Sequence, residues 1–150
     1  MAEGHPGLVI MAGSVDDVTM AVRFAAAQEV PLSVRSGGHG VDRTSTNDGG
    51  VVMDLSALDS IQILDVDERR VRVGAGTTWG HLAAAIAGQG WAMTSGNSGD
   101  VGVGELGTNG GIGWLVRKHG YTVDHVVGAD LVLADGTTVH VDAHHNPDLF

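Results

Sequence analysis

Short apolar runs separated by glycine- and aspartate-rich punctuation organise this chain. Leu8 to Met11 is an apolar run of four, and the SVDDVTMAVRFAAAQE segment after it repeats apolar positions at helical spacing through Val18, Val22, Ala25 and Ala26. Ser14 is placed to cap that helix, and Asp16 and Asp17 complement the positive end of its dipole. After Pro31, LSVR reads as a short strand, SGGHGVDRTSTNDGG as turns, and GVVMDLS as a further β-branched strand. Strand, helix, strand, loop, strand predicts a small parallel α/β unit over about residues 8–56.

The pattern then changes. IQILDVD and RRVRVGAG alternate apolar with polar residues on either side of Asp67-Glu68, which predicts an antiparallel hairpin. Thr77 or Thr78 caps a helix through WGHLAAAIAGQG, with Gly88 or Gly90 at its end. From Thr94 to Gly113 periodicity disappears and eight glycines occur, at 96, 99, 102, 104, 107, 110, 111 and 113. A long irregular loop inside a folded domain is usually functional. WLVRKHG predicts a short helix ended by Gly120, and HVVGADLVLADGTTVHVDA a hairpin turning at Asp135-Gly136.

Composition narrows the class. The 150 residues include 24 glycines but only 3 prolines, with 43% hydrophobic and 17% charged residues, which excludes collagen and wholesale disorder. The length suits one domain or one piece of a larger one. No run of 18 apolar residues occurs, so no transmembrane helix and no membrane partner is expected. The first residues, MAEGHPG, lack the basic and apolar regions of a signal peptide, so a soluble, cytoplasmic setting is the expectation. The absence of cysteine removes disulfides, thiol nucleophiles and Cys-ligated metals. A net charge of −10, with only eight Lys and Arg, repels a phosphate backbone, so nucleic acid is not expected as a partner.

Two glycine-rich loops carry the candidate chemistry. VRSGGHG places Arg35, Ser36, Gly37, Gly38, His39 and Gly40 directly after a strand, bringing a cation, main-chain N–H donors and one imidazole to the same point. That combination favours an anionic ligand. The later loop contains a formal G-x-G-x-x-G from Gly102 to Gly107, but it follows the polar, turn-like SGNSGD rather than a strand, so a Rossmann turn is not supported. His140, His144 and His145 do not predict a metal site: adjacent histidines point to opposite sides of a strand, and no carboxylate stands at a supporting spacing. Trp79, Trp91 and Trp114 read as packing residues, Tyr121 as structural, and Arg69, Arg70 and Arg72 as a solvated strand face opposite Val71 and Val73. No paired carboxylates suit glycosidase chemistry.

Taken together, VRSGGHG, VGAGTTWGHL, SGNSGDVGVGELGTNGGIGWLVRKHGYTVDHV and LVLADGTTVHVDAHHNPDLF resemble, in order and spacing, the PCMH-type FAD-binding domain of the vanillyl-alcohol oxidase superfamily. The chain is similar to its berberine-bridge-enzyme-like and 6-hydroxynicotine-oxidase-like FAD-linked oxidases, from about Leu8 to Phe150. The resemblance implies an α+β fold in which a small parallel α/β subdomain, about residues 8–56, precedes a mostly antiparallel α+β subdomain, about residues 57–150. It implies FAD as cofactor, a small-molecule substrate that gives up a hydride equivalent, and oxygen as electron acceptor. The first loop then wraps the pyrophosphate, and His39 falls where the family often bonds the isoalloxazine 8-methyl group. Gly96, Ser98, Asp100, Val101, Gly102, Gly110 and Gly111 fall on contact positions of the second loop, and Val141 on a strand position near the adenine end.

Three departures from the family pattern qualify this. Ser98 stands where bicovalent members have cysteine, so at most one covalent bond, through His39, is expected. Asn109 replaces a glycine and tolerates left-handed geometry, whereas Glu105 replaces another and puts negative charge beside a phosphate-binding segment, so its side chain is expected to point away. The chain stops at NPDLF, where family members continue into a substrate domain that holds the catalytic base. It is therefore expected to be incomplete at its C-terminus, with the catalytic residue unassigned. The alternative is a non-catalytic FAD-binding module, or one subunit completed by a partner chain.

Overall fold

The computed structural model describes residues 4–40 and 44–150. The centre of the turn-rich loop read from the sequence, residues 41–43, lies outside them. β1 (Leu8–Met11), β2 (Leu32–Arg35) and β3 (Val51–Asp54) form a parallel sheet in the order β1-β3-β2. β3 takes the middle because it is apolar on both faces, with Val51, Val52 and Met53 all buried. Leu8 and Leu32 both stand opposite Val51, and Met11 and Arg35 both stand opposite Asp54.

α1 (Val15–Ala27) connects β1 to β2 and starts as its sequence predicts. The Asp17 amide donates to Ser14 Oγ at 3.1 Å, and Asp17 Oδ2 accepts from the Ser14 hydroxyl at 2.9 Å. Its inward stripe is Val18, Ala21, Val22 and Ala25, of which the first three pack with Ala12, Met53 and Leu55, while Ala26 is exposed. Small alanines on this face let the helix lie close to the sheet.

The second apolar cluster lies under α2 (Trp79–Ala87), where Trp79, Leu82 and Ile86 pack against Val71, Val73, Trp91 and Leu106. Thr78 caps this helix, accepting from the His81 amide at 3.4 Å. β4 (Ile61–Asp65) and β5 (Arg70–Val73) form the expected antiparallel hairpin, as do β6 (Ala129–Val132) and β7 (Thr138–Val141). Arg70 and Arg72 face solvent and pair with Glu68 and Asp130, the latter at 3.3 Å across to β6.

Two expectations fail here. The Thr94–Gly113 segment is not irregular throughout, because Val103–Leu106 forms a one-turn helix, α3. Four residues are too few to register as periodicity, and the turn is fixed from outside by Val103 N–H donating to Thr77 O at 2.8 Å and Gly104 N–H to Ala75 O at 3.2 Å. Trp114 is not a packing residue: it is 89% exposed, in the turn leading to α4 (Val116–His119) and outside both apolar clusters, whereas Trp79 is 4% exposed. α4 ends at Gly120 with φ +83°, followed by a 3-10 helix, Val123–His125. The result is a mixed α/β fold, and among the described residues no helix is long and apolar enough to cross a membrane.

Candidate functional site

The first glycine-rich loop leaves β2 at Arg35, whose Nε and Nη2 both reach Asp54 Oδ2, at 3.0 and 2.8 Å. Parallel pairing of β2 with β3 sets these two residues side by side. Burial pushes the Asp54 carboxyl up, but the Ser56 hydroxyl and amide, together with Arg35, outweigh it and hold it below the ordinary value. Arg35 is thus paired with Asp54, and Gly38 curls over its stem at φ +72°. The loop's capacity for an anion rests on main-chain donors instead: the Gly37 and Gly38 N–H groups donate to no other described residue.

The second loop is pressed against the first, backbone to backbone. A Cβ on Gly37 would stand 2.8 Å from Asp100 O and against Gly102 N, and one on Gly102 would collide with the Ser36 side chain and Gly37 N. Only glycine at both positions allows this approach. The second loop is held in turn by Trp79 N–H donating to Val101 O at 3.0 Å and by the bridge between Thr78 and Gly102, while the Ser36 hydroxyl donates to Ala75 O. The Gly102-to-Gly107 motif does open a helix, but a four-residue one preceded by turns rather than a strand.

His39 is exposed beside this junction, and its ring makes no hydrogen bond among the described residues. Its amide donates to Glu105 Oε2 at 3.2 Å. This overturns the expectation that Glu105 points away: α3 aims the side chain at the first loop, where a main-chain donor offsets its charge. The other oxygen, Oε1, is buried and has no hydrogen-bond partner among the described residues.

A cleft of about 540 Å³ opens beside the loops, within the range of small-molecule sites. It is lined by Arg35, Ser36, Gly37, Gly38 and Asp100 among the residues singled out from the sequence, and also by Asp54, Asp59, Thr78 and His81, which were not assigned to a site. Asp54 was legible in principle, since two four-residue strands paired in parallel place it opposite Arg35. His39, Gly40, Gly96, Ser98, Val101, Gly102, Gly110 and Gly111 do not line this cleft. Gly110 and Gly111 take φ +92° and +75°, and Thr122 ties their segment to Thr94 through its hydroxyl, donating to Thr94 O at 2.9 Å. Val141 is buried in the β6–β7 hairpin opposite Ala129.

The histidines near the end of the chain also need correction. Antiparallel register brings Asp130 opposite His140, with the ring at 2.7 Å from Asp130 and 3.3 Å from Asp142, while Asp142 also accepts from the His144 and His145 amides. Carboxylates do therefore stand beside these rings, contrary to the spacing argument. Their bonds, with Asp130 first, raise the His140 pKa, and Asp142 is held well below the ordinary carboxylate value, chiefly by the His144 amide. Among the described residues no group of three or more His, Asp or Glu side chains is arranged to hold a metal ion.

Two apposed glycine loops, with N–H donors unengaged among the described residues and an adjacent exposed imidazole, suit a large phosphate-bearing ligand. Residues 6–142 match a family model described as "FAD binding domain". The chain is 39% identical over 146 residues to (R)-6-hydroxynicotine oxidase of Paenarthrobacter nicotinovorans, covering 97% of this chain and 32% of that protein. Its fold is similar to the crystal structure of 6-hydroxy-D-nicotine oxidase from Arthrobacter nicotinovorans, with a TM-score of 0.94, 38% identity and coverage of 99% of this chain and 32% of that one. It is also similar to glucooligosaccharide oxidase from Acremonium strictum, described with a 6-S-cysteinyl, 8α-N1-histidyl FAD, at a TM-score of 0.92, 30% identity and coverage of 98% and 31%. The chain thus spans about a third of the length of these relatives. With the match running through both glycine loops and every sheet, the chain belongs to the PCMH-type FAD-binding domain family of the vanillyl-alcohol oxidase superfamily, alongside the 6-hydroxynicotine and berberine-bridge-enzyme-like oxidases.

Proposed function

We propose that this chain is the FAD-holding part of an oxidase that removes a hydride equivalent from a carbon–oxygen or carbon–nitrogen centre of a small organic substrate, with oxygen as electron acceptor. Bound FAD supplies the electron-accepting chemistry, and the protein supplies binding, orientation and tuning. The observation that carries the reading is the contact of Gly37 with Gly102 beside the exposed His39. The residues fit the group: the Gly37 and Gly38 N–H groups, unengaged among the described residues, suit a pyrophosphate that the acidic chain, with Arg35 already paired, does not attract by net charge.

In this reading Ser36, Gly37, Gly38 and Gly40 hold the diphosphate, and His39 carries the single covalent bond to the ring. Gly96, Ser98, Asp100, Val101, Gly102, Gly110 and Gly111 follow the nucleotide along the second loop, and Val141 serves the adenine end. The chain contains no cysteine, so Ser98 provides no sulfur for a second bond. The names of the relatives, 6-hydroxynicotine oxidase and glucooligosaccharide oxidase, support a small organic substrate.

The test is a denaturing gel of the full-length protein viewed for flavin fluorescence. Wild type is expected to fluoresce in the protein band. His39→Ala is expected to lose that fluorescence while keeping its fold and releasing its flavin on denaturation. No flavin in wild type, bound or released, overturns the reading.

A further inference from the structure

We propose that Glu105 is a positioning residue for His39, a carboxylate strut that fixes the first glycine-rich loop to the second. This rests on the proposed flavin site, but the strut itself is a property of the protein alone. Its base is rigid. Val103 and Gly104 are tied to Thr77 and Ala75, and the Asn109 side-chain amide and Thr108 hydroxyl donate to Glu105 O at 2.9 and 3.2 Å. From this base the side chain spans to the His39 amide, 66 residues away in sequence, at 3.2 Å.

A charged acceptor makes this hydrogen bond stronger than a neutral one. It holds the main chain of the very residue whose ring stands free. Ordering the His39 backbone reduces the conformations its imidazole samples, which is what a side chain needs to meet a fixed partner atom. The strut therefore prepares His39.

Full-length protein carrying Glu105→Met, which keeps bulk without an acceptor, is compared with Glu105→Gln, which keeps both. Amide hydrogen exchange at His39 reads the strut without requiring flavin, and flavin retained in the protein band after denaturation reads its consequence. Glu105→Met is expected to exchange about tenfold faster at His39 and to retain less flavin, at unchanged total flavin and a near-wild-type melting temperature. Glu105→Gln is expected to restore most of both. Unchanged His39 exchange in Glu105→Met, or equal behaviour of Met and Gln, overturns the proposal. Absence of flavin from wild type overturns only the functional reading.

Discussion

Replacing Gly37 by alanine tests whether the two loops must touch. The new methyl would sit 2.8 Å from Asp100 O and 3.1 Å from Gly102 Cα, and closer still to Gly102 N. Backbone on both sides means that no side chain can swing away to make room. Restoring ordinary contact of about 3.4 Å requires the loops to part by more than the roughly 0.6 Å that the Asp100 O contact alone demands, which strains the Trp79–Val101 and Val103–Thr77 hydrogen bonds that fix the second loop. Overpacking of this kind costs about 1–3 kcal/mol. At about 2–4 °C per kcal/mol for a domain of this size class, the melting temperature should fall by roughly 2–12 °C. Flavin content should fall with it, because the donors of Gly37 and Gly38 no longer face the second loop at the same spacing. Gly88→Ala is the control: it lies at the end of α2 with nothing within 4 Å of its new Cβ and an ordinary helical φ of −62°. It should be neutral, or stabilising by up to about 1 kcal/mol through the unfolded chain. Calorimetry and flavin absorbance on both variants decide the matter, and a Gly37→Ala protein that melts and binds flavin like Gly88→Ala would refute the argument from close approach.

Two further expectations concern the hydrogen bonds around the site. Thr122→Val removes the hydroxyl that donates to the buried Thr94 O, so unfolding in urea should show a loss of about 1–3 kcal/mol, and an unchanged midpoint would mean that this tie is not needed. His140 has its pKa raised above the ordinary 6.5, mainly by its hydrogen bond to Asp130. Its contribution to stability is therefore fully present below about 6.5 and lost as pH rises through the higher folded value. Titration of the ring by NMR should give a midpoint above 6.5 that drops toward it in Asp130→Asn, and a midpoint indifferent to that change would count against the assigned cause.

Local order was legible wherever a neighbour in sequence provides the cause. Ser14 reaches Asp17 and Thr78 reaches His81 within one helical turn, and Gly136, at φ +78°, makes the predicted hairpin turn. The glycine loops were legible as loops, and their motifs as a resemblance. α3 was not, because its four residues are held by carbonyls of Ala75 and Thr77 about 26–29 positions away. Asp130 beside His140 was missed for a similar reason, since strand register and not spacing along the chain sets that contact.

The sequence by itself determined the small parallel α/β unit, the capped helices and the places where only small residues occur. Tertiary structure decided what those places are for. Glu105 illustrates the difference: beside a phosphate-binding segment its charge argued for an outward rotamer, but the fold brings the His39 amide to within 3.2 Å of it. A carboxylate goes where a donor offsets its charge, and the donor here comes from a loop 66 residues earlier, which no local pattern encodes. The same holds for Gly37 and Gly102, whose missing side chains acquire their meaning only when the two backbones meet.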